Sequence, residues 1–246
     1  MKFGNTKIGG MSFGPTKIGG AKYGNTLVFQ SGEGGGGEGD VIILPDGYTK
    51  VEYVENSFKT NYILTDYYCN NNTRLVIEFS NVGKTRNDWN FLFGARKTTN
   101  NVEDFSFAIF TDSTAPRENF GNNEVYYATD LLLGKHFVVD KNKDKTTITD
   151  LSTSTIIAEH SFTPNTFNTT PKLTLLQQNR ASNKTAITSA GQAAMGKLYD
   201  VKIYDDGVLS RHYIPCKNPQ DLAGLYDVVN GLFITGNKTL TAGPTI

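Results

Sequence analysis

Apolar and polar residues alternate in short runs along most of this chain, the period expected of strands with one face buried. The stretch from Gly196 to Leu209 alternates in this way and turns at Asp206-Gly207. A second turn follows at Asn230-Gly231. The same pattern, bounded by Asn, Gly, Thr and Asp, predicts strands over 50–54, 61–64, 74–79, 90–95, 105–110, 124–128, 136–140, 146–149, 155–159, 172–176, 197–204 and 232–235. Residues 136–140 and 145–150 flank a polar Lys-Asn-Lys-Asp turn and read as a hairpin. Residues 219–224 have room for one short helical turn. Short, evenly spaced strands with turn residues between them predict an all-β fold, an antiparallel sandwich or jelly roll.

The first thirty residues follow a different period. An aromatic recurs every ten residues at Phe3, Phe13 and Tyr23, and a β-branched residue at Ile8, Ile18 and Val28. A Gly and a Thr recur with them, so each copy predicts a very short strand, a turn and another strand. Thirty residues bury too little apolar area to offset chain entropy alone. The six recurring residues are therefore the candidates for assembly or attachment, against copies of the chain or a host surface. A plain glycine-rich tail is the competing reading. Residues 31–40 form a Gly-rich linker that spans about 17 Å root-mean-square. No Gly-Lys-Ser/Thr follows it, so it is not a phosphate loop. The expected domains are thus repeats at 1–30, a linker at 31–40 and one β-rich domain at 41–246.

Composition narrows the partners. Lys plus Arg and Asp plus Glu are both 24 in 246 residues, for a formal net charge of zero. A neutral chain lacks the electrostatic footprint of a nucleic-acid or acidic-membrane binder. No run has the length of a signal peptide or membrane span, so synthesis in the cytoplasm is expected. Two cysteines, Cys69 and Cys216, make no disulfide framework in a domain of this size and read as buried thiols, with a pair as the alternative.

Two segments resemble a known family. Leu44 to Glu55 with Asn61 to Asp66, and the closing runs from Gly196 to Tyr204, Tyr213 to Cys216, Gly224 to Phe233 and Thr241 to Pro244, resemble concanavalin A-like (LamG-type) jelly-roll domains of bacteriophage virion proteins. The likeness covers roughly residues 44–246 and is weak between Asn81 and Ser189. The repeats are similar to those that precede such domains in phage fibre and tail proteins. Phe58 departs from the family's opening and leaves the first strand pairing open. The resemblance implies a virion protein, a head fibre or capsid decoration subunit or else a tail-associated receptor-binding module. Its partners would be capsid or tail proteins, further copies of itself (a trimer favoured over a dimer) and a host surface glycan.

Catalytic chemistry finds little support. Glycan-cleaving enzymes need two carboxyl groups about 5 Å apart, or somewhat further in inverting enzymes. Glu52 and Glu55, three apart, face opposite sides of a strand, as do adjacent Glu103 and Asp104, while Asp205 and Asp206 belong to a turn. The expectation is a non-enzyme with no cofactor. Asp140, Asn142 and Asp144 mimic the start of a calcium loop. Lys145 replaces its Gly, Leu151 replaces its Glu, and Lys141, Lys143 and Lys145 oppose a cation. His136, His160 and His212 lack metal spacing and read as strand or surface residues. No metal site is expected, although the resemblance leaves calcium at other loops open. The suggestive recognition cluster is Arg86, Asp88 and Trp89: a Trp among polar groups stacks on sugars or anchors the core. In Tyr67-Tyr68 and Tyr126-Tyr127, alternation turns one of each pair inward.

Overall fold

The computed structural model describes residues 2–3, 6–7, 21–23, 26–29, 42–81, 89–97, 104–110, 115–163, 165–181, 189–190 and 192–246. The chain divides into Met1–Tyr48 and Thr49–Ile246. In the first unit, Lys2–Phe3 pairs with Thr6–Lys7 and Ala21–Tyr23 pairs with Thr26–Phe29. Phe3 faces Thr6 and Tyr23 faces Thr26, so the first and third copies make the same small hairpin. Ile8, Phe13, Ile18 and residues 31–40 lie outside the described residues, as do the side chains of Phe3, Tyr23 and Val28.

The second unit is all-β, a jelly-roll sandwich of two largely antiparallel sheets. No helix occurs among the described residues. The eleven-stranded sheet runs in the order Thr155–Ser161, Lys145–Asp150, His136–Lys141, Thr73–Asn81, Gly196–Asp205, Val208–Lys217, Ala223–Asp227 and Leu232–Ile234, with Thr49–Lys50, Val54–Asn56 and Thr241–Ala242 added. The nine-stranded sheet runs Asn123–Tyr126, Arg117–Phe120, Asp104–Phe110, Asn90–Arg96, Thr174–Leu175 and Ile63–Leu64, with Gln178–Asn179, Ser189–Ala190 and Gln192–Ala193 added.

Alternation decides what goes inside. Leu75, Ile77 and Phe79 on one strand and Phe137 and Val139 on its neighbour are fully buried, while Arg74, Glu78 and His136 point out. The other sheet contributes Phe93, Phe105, Phe107 and Phe120. Their rings pack with centroids 5.7 Å apart for Phe93 and Phe105 and 5.9 Å for Phe105 and Phe120. Each such side chain contributes roughly 1.5–3 kcal/mol by leaving water. A bulge in the central strand breaks the period: Leu198 faces Phe79 and Asp200 faces Glu78, leaving Tyr199 between them. That extra residue lets Leu198 and Val201, three apart, both face inward.

The predicted 136–150 hairpin forms, with Lys141 opposite Thr146 and Phe137 opposite Asp150. The Asp206-Gly207 turn also forms, with φ of 48° and 81°, which is the left-handed conformation a two-residue hairpin needs. The helical turn at 219–224 does not. Asn218 Oδ1 instead accepts from the Gln220 and Leu222 amides, and the chain enters the strand Ala223–Asp227. The strand Val208–Lys217 lies outside the predicted strands and contains Pro215, a residue that central strands seldom hold. The proline is tolerated because pairing with Gly196–Asp205 ends at Tyr213 and pairing with Thr49–Lys50 starts at Cys216. On that side Pro215 falls in the gap.

Lys141 is the largest departure from the expected charged hairpin tip. It is 0% exposed and reaches across the sandwich to Glu118, also 0% exposed, with Nζ 2.6 Å from Oε2. It therefore joins the two sheets through the core.

Candidate recognition face

The outward face of the nine-stranded sheet is unusual for carrying buried polar residues. The register places Phe91, Ala108, Arg117 and Tyr126 in one row across four strands. The next row is Gly94, Ser106, Asn119 and Glu124, and beyond it Arg96 stands opposite Asp104. Alternation turns Gly94, Arg96, Asp104, Ser106, Ala108, Arg117, Asn119, Glu124 and Tyr126 away from the core, and a bulge where Ala108 pairs with Phe91 brings Phe91 to the same side.

Trp89 completes the first row. Its ring stacks on Phe91, with centroids 5.8 Å apart and 18° between planes. The Arg117 guanidinium lies 4.5 Å from its centroid on the far side of Ala108. The indole thus contacts both cross-strand neighbours of Ala108, Phe91 and Arg117. Arg117 in turn lies 5.6 Å from the Tyr126 ring. The result is a ladder of Phe91, Trp89, Arg117 and Tyr126, in which each cation–ring contact contributes about 0.5–2 kcal/mol. Tyr126 is 53% exposed and offers the open ring. Trp89 thus lies outside the inner core, and its role is to wedge Arg117. Arg86 and Asp88 lie outside the described residues.

The polar groups are held tightly. Arg117 Nε is 2.5 Å from Glu124 Oε1. Burial acts to raise Glu124, but hydrogen bonds from Arg117 and Tyr126 and the charges of Arg117 and Arg96 outweigh it and hold the carboxyl below its usual range. Asp104 is fully buried. Its Oδ1 accepts from Ser106 Oγ at 2.7 Å and from Gln178 Nε2 at 3.2 Å. Among the described residues its Oδ2 has no hydrogen-bond partner, and Arg96 Nε stands 3.8 Å away. Burial pushes the Asp104 carboxyl up to about 6, against the pull of Ser106, Arg96, Arg117 and Lys141. Burial likewise lowers Arg96, partly offset by Asp104. Gly94 makes room for this arrangement: a Cβ there would lie 2.8 Å from Gln178 Cγ and 2.9 Å from Ser106 Cβ.

The remaining candidates are accounted for by local pairing. Asp140 takes two hydrogen bonds from Arg74, at 2.8 and 2.7 Å, and Asn142 Oδ1 caps the amides of Asp144 and Lys145. Two of the three would-be calcium ligands, Asp140 and Asn142, are thus engaged by Arg74 and by the turn of the hairpin. His136 lies on a strand 2.9 Å from Glu78, His212 lies 2.7 Å from Asp200, and His160 packs edge-on against Phe162. Asp205 accepts from Asn70 at 3.1 Å. Glu103 lies outside the described residues. Cys69 and Cys216 are free and buried, and burial pushes the Cys216 thiol up to about 12 and Cys69 well above its ordinary value. In the tyrosine pairs, Tyr67 is buried and Tyr68 exposed, while Tyr127 packs against the core and Tyr126 faces out. Asp104, Arg117, Glu124 and Gln178 had no local motif to announce them; Trp89 was legible as a lone tryptophan among polar residues, and of the pair Tyr126 and Tyr127, only that one member faces inward.

No family model matches the chain, and no curated protein matches it. Among solved structures, the chain is similar to the Ruminococcus gnavus IT-sialidase CBM40 bound to alpha2,3 sialyllactose. That likeness has 14% identity and a TM-score of 0.38, and covers 60% of this chain and 89% of that one. The same module bound to alpha2,6 sialyllactose matches at 12% identity and a TM-score of 0.36, covering 62% and 90%. Likeness at this level carries no argument about what this chain binds.

Proposed function

We propose that this chain is a non-enzymatic adhesion subunit of a bacteriophage particle, of the head-fibre or capsid-decoration type. In this reading Phe3, Ile8, Phe13, Ile18, Tyr23 and Val28 attach or oligomerise the chain, and the sandwich contacts a host surface glycan. The virion assignment is supported by the sequence resemblance at both ends of residues 44–246. Recognition is supported by one observation: the exposed Tyr126 ring at the open end of the largely buried Phe91–Trp89–Arg117–Tyr126 ladder. An aromatic ring beside a fixed guanidinium suits the apolar face and the hydroxyls of a sugar. A weak site is sufficient when many copies on one particle engage together. No hydrolytic role is proposed, since Asp104 is sealed and Glu124 is tied to Arg117.

The same ladder favours a second placement, a tail-associated carbohydrate-binding module. A glycan array with the full chain tests the recognition step for both. Binding that falls at least tenfold in Tyr126→Ala and Trp89→Ala, with folding retained, is expected. A folded chain with no glycan above background would remove the recognition reading. Labelling of purified particles with an antibody to the chain then separates head from tail.

A further inference from the structure

The pair in the sandwich core invites a question separate from what the outer face binds. Lys141 sits at the end of His136–Lys141, opposite Thr146. Glu118 comes from the other sheet, on Arg117–Phe120. Both are fully buried, and Lys141 Nζ lies 2.6 Å from Glu118 Oε2. Thr146 Oγ1 donates to the same oxygen at 2.6 Å, and the Tyr127 hydroxyl donates to Oε1. Around the amine stand the rings of Phe162, Phe120 and Phe105, at 4.5, 5.4 and 5.6 Å. This is an amine against a carboxyl group, in a site walled by aromatics, with a hydroxyl on each carboxyl oxygen.

The geometry points to an intramolecular isopeptide bond between Lys141 Nζ and Glu118 Cδ, formed by the folded chain itself. Burial lowers the proton affinity of Lys141, although Glu118 offsets part of that effect. The step balances without an outside reagent. Lys141 passes one ammonium proton to Glu118 Oε2. The neutral amine attacks Cδ, and the charge that develops on Oε1 is met by the Tyr127 hydroxyl. Thr146 gives its proton to Oε2 and takes one from the nitrogen. Oε2 then leaves as water. One C–N bond forms and one C–O bond breaks, with no change of oxidation state.

The bond would remove two buried charges and tie the two sheets covalently, between residues 23 positions apart. For a chain that projects from a particle, such a link resists pulling and proteolysis. Dry surroundings would also protect the amide from hydrolysis.

Intact mass of the purified full chain, measured after denaturation, decides the matter. The expected mass is one water below that of the sequence. A tryptic digest should then contain a branched peptide joining the segments of Glu118 and Lys141, with no cleavage after Lys141. Lys141→Met should show the full sequence mass for its own composition. Glu118→Gln has no carboxyl oxygen to expel as water at that position and should show no loss of water; a loss of water that persists in it overturns the proposal. A wild-type chain at full sequence mass, with both tryptic segments separate, overturns the proposal. So does a loss of water that persists in Lys141→Met. The decisive measurement is on the wild type, so it does not depend on a variant folding.

Discussion

Asp104→Asn isolates the electrostatics of the recognition face. Asparagine keeps the Oδ1 acceptor used by Ser106 and Gln178, removes the charge and puts an uncharged amide nitrogen in place of Oδ2. In the folded chain Asp104 is raised from 3.8 to about 6, chiefly by burial. Between those values the folded state binds the proton more tightly than the unfolded state. Ionisation therefore costs stability as the pH rises through that window, and acidification restores it. The two pKa values correspond to a loss of about 2 kcal/mol between pH 4.5 and 7.5. The variant escapes this loss. Its stability relative to wild type should rise by that amount over the same range, or by about 4–8 °C in melting temperature. Urea unfolding of both full chains at several pH values gives the difference directly, since groups outside the cluster contribute equally and cancel. The reasoning fails if the difference is flat. It also fails if the difference has the opposite sign, which would mean that Arg96, 3.8 Å from Oδ2, outweighs burial.

Other outcomes follow from single residues. Gly207→Ala meets no atom within 4 Å, so its cost is the φ of +81° alone, about 1 kcal/mol by urea unfolding. Gly94→Ala must displace Gln178 or Ser106 and should cost about 1–3 kcal/mol, with the Gln178–Asp104 hydrogen bond lost from the pH profile of stability. Cys69 and Cys216 should resist a thiol reagent in the native chain and react together on unfolding, because both are buried with raised thiol pKa values. Replacing Phe3, Phe13 and Tyr23 together by Ser should reduce the oligomer seen by light scattering to a monomer, if the repeats are an assembly device. An unchanged oligomer would move assembly elsewhere in the chain.

What the sequence determined by itself was local. The two-residue period marked most strands and required one of each tyrosine pair to turn inward, but which one, Tyr67 and Tyr127, was decided by the fold. Asp206-Gly207 specified its turn because only that backbone conformation joins the two strands so tightly. The helical turn at 219–224 lost to Asn218, whose side chain offered the backbone amides a competing partner. Everything that required two sheets was decided by tertiary structure. Lys141 reads as one of three tip lysines until a carboxylate from the facing sheet makes its burial affordable. The bulge at Tyr199 and the gap that accepts Pro215 exist only once neighbouring strands are in register. Trp89 offered core and surface readings alike, because its place depends on Ala108 and Arg117, which lie on two other strands. Alternation is a property of one strand, whereas a row of side chains across a sheet is a property of how four of them pair.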